Sequence, residues 1–152
     1  MIFKRILVAI DGSPPSMRAA DYAIKIAQKY ESELIALHVM YSKIGFAYYK
    51  ETATGIITPN SINELIDQAK KEAEKWFEDI RQNSADTNVI IKSEAVITAI
   101  SVVEAIISYS ENKNIDLIIT GSRGRSAFKK LFLGSTASGI MTYSHCPVMI
   151  VK

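Results

Sequence analysis

The chain has a single cysteine, Cys146, which excludes an internal disulfide framework and fits a reducing, cytoplasmic setting. It has little surplus charge. Eighteen Lys and Arg against 16 Asp and Glu leave +2 over 152 residues, too little for a dedicated nucleic-acid coat. No apolar run approaches the length that crosses a bilayer. The apolar part of the opening MIFKRILVAIDGS is too short, and too soon broken by Asp11, for a signal peptide. Two histidines, His38 and His145, have no third ligand at metal spacing and read as structural. Internal repeats, low-complexity segments and linkers are absent, so one domain over residues 1–152 is expected.

What is present is a 48% hydrophobic, 22% charged chain with apolar runs in a regular rhythm. Ile6 to Ile10 is a continuous β-favouring run, as expected of a central strand covered on both faces. It stops at DGSPPS, where Ser13 can cap a helix whose first turn tolerates Pro14, and helical spacing continues to about Tyr30. Glu33 to Met40 reads as a second strand. Tyr41 to Thr58 carries Tyr41, Phe46, Tyr48 and Tyr49 without periodicity and reads as a long loop, either a lid or a segment packed on the body or a partner.

A second helix begins near Pro59, with Ile62, Leu65, Ile66, Ala69, Ala73, Trp76, Phe77 and Ile80 as its apolar stripe. A strand from Val89 to Ile97 follows, then a helix from Ile100 to Lys113 with Val103, Ile106 and Ile107 facing inward. The strand DLIIT, a helix from Ser135 to Ser144 and the strand CPVMIV complete the chain. Such alternation predicts an α/β fold: a doubly wound, five-stranded parallel sheet with helices on both faces. Strand order 3-2-1-4-5 would bring DGS after the first strand to TGSRG after the fourth, in the crevice where winding reverses.

The stretch TGSRGRSAFKKLFLGSTAS gathers Arg123, Arg125, Lys129 and Lys130 between glycines 121, 124 and 134. Gly121 and Gly124 allow positive φ and the approach of backbone donors to phosphate, while Gly134 and Ser135 open a helix at its positive end. Ser135 and Thr136 add hydroxyls, and Asp11 can hold a Mg²⁺ that bridges to phosphates. On spacing alone, nucleotide binding stands only slightly ahead of plain turns, caps and a solvated cationic face. Neither a Walker-type loop nor G-x-G-x-x-G occurs.

Gly121-x-x-Gly124, nine intervening residues and then Gly134-Ser135 resemble the G-2x-G-9x-G-[S/T] motif of the universal stress protein family. ILVAIDGSPPS, ALHV, DLIITGSRGRS and HCPVMIV extend that resemblance over nearly the whole chain. It implies a Rossmann-like, adenine nucleotide alpha hydrolase-like domain, a cytoplasmic homodimer, and ATP bound with Mg²⁺ or Mn²⁺. Residue by residue, it implies Asp11 by the ribose and metal, Val39 by the adenosine, and Ile10 and Thr120 flanking the adenine side. Gly121, Arg123 and Gly124 would meet phosphate and ribose, and Gly134, Ser135 and Thr136 would cradle phosphates.

The chain departs from the family where Ala137 replaces a common second hydroxyl, and where TAI (Thr98 to Ile100) replaces a G-x-P turn. The leading expectation is an ATP-binding regulatory homodimer of the stress response, paired through its apolar C-terminal edge strand and serving an unidentified client protein. A slow ATPase and a scaffold that binds no nucleotide rank behind it. A nucleic-acid role rests only on the Arg123–Lys130 cations and carries little weight, and no membrane role is expected.

Overall fold

The structure, a computed structural model, describes residues 2–42, 59–123 and 132–152. The elements run β1 (Arg5–Ala9), α1 (Pro14–Tyr30), β2 (Glu33–Tyr41), α2 (Pro59–Asn83), β3 (Ile91–Thr98), α3 (Val102–Asn112), β4 (Leu117–Gly121), α4 (Ser135–Tyr143) and β5 (Val148–Val151). All four strand pairings are parallel, and the order is β3-β2-β1-β4-β5, as the alternation predicts. Most of the expected Tyr41–Thr58 loop lies outside the described residues, as do Gly124, Arg125, Lys129 and Lys130.

Period-two alternation divides the central strands between two cores. Ile6, Val8, Leu34, Ala36, Leu117 and Ile119 face α1 and α2, whereas Leu7, Ile35, Leu37 and Ile118 face α3 and α4. Helix α1 lies close on its core because its inner face is largely alanine (Ala19, Ala20, Ala23 and Ala27). Helix α2 buries Ala69, Ala73, Phe77 and Ile80, with Trp76 only partly covered. On α3, Ile106 is buried, while Val103 and Ile107 are half-buried. Cys146 is likewise half-buried against the second core, its Sγ 3.4 Å from Ser144 Oγ, more exposed than a buried small hydrophobe.

Helix starts follow local chemistry. Ser13 and Ser101 have extended backbones, and their hydroxyls accept from Ser16 N–H and Glu104 N–H, satisfying donors with no partner inside the helix. Helix α1 ends where Glu31 adopts φ 54°. At the amino-terminal end of the sheet, Glu33 pairs with Lys92 of β3 and Arg5 of β1. The Lys92 hydrogen bond is the main cause holding its carboxyl below the usual carboxylate range.

Gly121 corrects an expectation. Among the described glycines only Gly12, at φ 79°, lies in the left-handed region. Gly121 is required instead for close approach: a Cβ there would lie 2.8 Å from Pro15 C and Ser16 N, the backbone of α1's first turn. Backbone cannot yield as a side-chain tip can, so Gly121→Ala is expected to destabilise by about 1–3 kcal/mol. A urea transition shifted to lower concentration with unchanged slope will check this.

Candidate functional site

At the carboxyl ends of the strands, where winding reverses between β1 and β4, the chain encloses a cavity of about 400 Å³. Ile10, Asp11, Val39, Thr120, Gly121, Arg123, Gly134, Ser135 and Thr136 all line it. The nine are therefore in one place, whereas Gly124, Arg125, Lys129 and Lys130 lie outside the described residues.

Three loops meet there, and two hydrogen bonds join them. Ser13 Oγ donates to the Arg123 carbonyl at 3.3 Å, tying the β1–α1 turn to the chain leaving β4. Gly134 N–H donates to the Ser122 carbonyl at 2.8 Å, tying that chain to the start of α4. The Gly134 N–H is thus already engaged and is not a donor for a ligand. That differs from the open helix start expected from the sequence, and the reason is that β4's continuation needs a donor at its carbonyl.

The first turn of α4 remains the anion-facing element. Gly134 caps it without any side-chain hydrogen bond, so the N–H groups of Ser135, Thr136 and Ala137 have no helical partner by geometry. Ala137 is buried and lines the cavity without a hydroxyl. Ser138 does not line it. Its N–H closes the first helical bond to Gly134, and its carbonyl accepts from Thr142 Oγ1.

Asp11 sits in a tight turn. Its Oδ1 accepts from Ser13 N–H at 2.9 Å, and its own N–H donates to Ser16 Oγ at 3.3 Å. Ser16 Oγ in turn donates to the Ser13 carbonyl at 2.9 Å. Among the described residues no three His, Cys, Asp or Glu side chains are grouped to hold a metal. A divalent cation at Asp11 would take its other ligands from phosphate oxygens and water, which suits Mg²⁺.

Apart from Ser16, the rest of the lining is apolar: Ala9, Leu37, Val102, Ile106, Phe132 and Leu133. Sequence reading did not assign these, nor Ser16. Alternation with Val39 could have nominated Leu37. Phe132, 68% exposed, and Leu133 carry no periodic signal. Near the TAI stretch the Thr98 hydroxyl accepts from Ile100 N–H at 3.2 Å, Ile100 points outward, and Val102 reaches the cavity. His145 is exposed. Among the described residues, the site pairs an apolar slot with Asp11, Arg123 and an uncapped helix start.

A sequence model described as the universal stress protein family matches residues 2–152. A universal stress protein of Bacillus subtilis (strain 168) is 33% identical over 99% of this chain and 100% of its own length. The solved structure of a Methanocaldococcus jannaschii protein, also named a universal stress protein, superposes with a TM-score of 0.78 at 26% identity. That match covers 100% of this chain and 97% of the other. An Archaeoglobus fulgidus universal stress protein, solved in complex with dAMP, shares the fold at TM-score 0.65 and 18% identity, covering 100% of both chains. Among the described residues no helix is long and apolar enough to cross a membrane. With its sheet order, its glycine-bounded crevice and a family match along residues 2–152, the chain belongs to the universal stress protein family.

Proposed function

We propose that this chain is an ATP-binding regulatory protein of the stress response, acting as a homodimer whose nucleotide state sets its contact with a client protein. One observation carries the nucleotide reading. The Ser13–Arg123 and Gly134–Ser122 bonds gather Asp11, Arg123 and the uncapped start of α4 around one cavity with an apolar slot beside them. About 400 Å³ lies within the roughly 300–1,000 Å³ typical of small-molecule sites. The dAMP in the Archaeoglobus relative supports an adenine nucleotide as the ligand.

In this reading the base lies in the slot between Val39, Ile10, Val102 and Thr120. The phosphates meet the N–H groups and hydroxyls of Ser135 and Thr136, with Gly121, Arg123 and Gly124 alongside. Asp11 faces the ribose and would hold Mg²⁺ or Mn²⁺ together with the phosphates. Charge-assisted bonds contribute about 1.5–3 kcal/mol each, so three or four give a gross gain on the scale of the roughly 8 kcal/mol of micromolar binding, with burial of the base in the slot offsetting ordering costs. Binding is favoured over hydrolysis because metal at Asp11 would occupy the one carboxylate in the described lining, leaving no base to orient water there. Hydrolysis that falls in Asp11→Ala would support a slow ATPase instead.

The open edge at β5 supports the dimer reading. The Pro147 and Val151 carbonyls accept from Ile118 of β4 and from Ser122 just past its end, so by strand alternation the backbone groups of Val148 and Ile150 point to the open edge. Met149 on β5 is exposed, as are Met141 and Tyr143 on α4. An apolar edge of this kind is a pairing surface, and a second copy satisfies it across a two-fold axis.

Calorimetric titration of nucleotide-stripped protein with Mg-ATP is expected to give micromolar affinity, lost in Gly124→Val and weakened about tenfold in Ser135→Ala. Asp11→Asn is expected to lose the Mg²⁺ dependence. Absence of binding in a folded protein would leave the scaffold reading. Sedimentation is expected to find a dimer, and Ile150→Pro to yield a folded monomer, because it removes an outward donor while sparing the β4–β5 ladder. An unchanged dimer in that variant would place the interface elsewhere.

A further inference from the structure

His38 is a buried imidazole that the nucleotide reading leaves unused. It is 5% exposed on β2. Alternation sends Leu37 and Val39 to the cavity and His38 to the opposite face, beneath α2. From there its ring reaches back to the site's backbone: Nδ1 lies 2.8 Å from the Ile10 carbonyl oxygen. A carbonyl can only accept, so Nδ1 carries the proton.

That bond falls where the β1–β2 ladder ends. Ala9↔Leu37 is the last registered pair, and Ile10 N–H still donates to the Leu37 carbonyl at 2.8 Å. In a continuing parallel ladder the Ile10 carbonyl would accept from Val39 N–H. Here the His38 side chain donates to it, and the chain turns away through Asp11 and Gly12. The turn is held from below as well. Trp76 packs edge-on against the imidazole, with ring centroids 5.1 Å apart. Its indole also lies over Gly12, where a Cβ would come within 2.2 Å of it. Glu72 Oε2 stands 3.6 Å from Nε2, which makes no hydrogen bond among the described residues.

We propose that His38 is a positioning residue of the nucleotide site. By donating Nδ1–H to the Ile10 carbonyl, it ends the β1–β2 ladder and fixes the Ile10–Gly12 turn that presents Asp11. The role in affinity rests on the nucleotide reading; the role in shaping the turn does not.

Matched amides separate the two ring nitrogens. Asn at position 38 places a donor near where Nδ1 stands, whereas Gln places one near Nε2. His38→Asn, His38→Gln and His38→Leu are compared first without nucleotide, by the backbone resonances of Asp11 to Ser13 and the emission of Trp76, the single tryptophan. Mg-ATP affinity is then measured for each. His38→Asn is expected to keep the wild-type turn resonances and bind within about threefold of wild type. His38→Gln and His38→Leu are expected to shift both signals and bind about tenfold more weakly, the worth of one lost hydrogen bond.

Equal behaviour of the Asn and Gln variants, or turn resonances unchanged in His38→Leu, would overturn the proposal and leave His38 as packing. If His38→Leu does not fold, the Asn–Gln contrast decides. If wild-type protein binds no Mg-ATP, the nucleotide reading fails, while the turn resonances still decide whether His38 shapes the loop.

Discussion

The approach of α1 to the end of β4 is the contact on which the site depends. Gly121 lets the backbone at Pro15 and Ser16 lie against β4 with no side chain between them. That closeness puts Ser13 within reach of the Arg123 carbonyl, so the capping residue of α1 also joins two loops that are far apart in sequence. The Gly134–Ser122 bond brings the start of α4 into the same assembly. A side chain at Gly121 would separate α1 from β4 and open the crevice as well as strain the core, so stability and site geometry share one cause.

The two faces of the sheet divide the work. The α3–α4 face supplies the slot, because Leu37, Val39 and Thr120 project toward it and Val102 and Ile106 close it. The α1–α2 face supplies support, with His38, Trp76 and Gly12 layered behind the Asp11 turn. A parallel sheet buried on both sides allows this arrangement, since alternate residues of one strand serve opposite layers.

Much of this was legible in the sequence. Helix α1 runs from Pro14 to Tyr30 as read, because Ser13, the prolines and the alanine spacing all specify the same helix. The strand order was accessible because two βαβ halves wound in opposite directions leave one reversal point. What could not be read was lateral contact. Periodicity gives the face of Gly121 but not the backbone pressed against it, so positive φ was the nearer guess. Gly134 opens α4 as expected, yet its N–H is engaged by a carbonyl twelve residues earlier, at Ser122, which no local pattern encodes. For want of metal partners, His38 reads from sequence as structural. Its Nδ1 contact depends on where β1 stops pairing, a property of two strands together.

A structure of the protein crystallised with Mg²⁺ and a non-hydrolysable ATP analogue tests the central claim most directly. Phosphate oxygens within hydrogen-bond distance of the Ser135 and Thr136 N–H groups, with the base beside Val39 and the metal by Asp11, are the predicted result. A nucleotide seated anywhere else, or a crevice between β1 and β4 still empty at saturating analogue, would contradict the account.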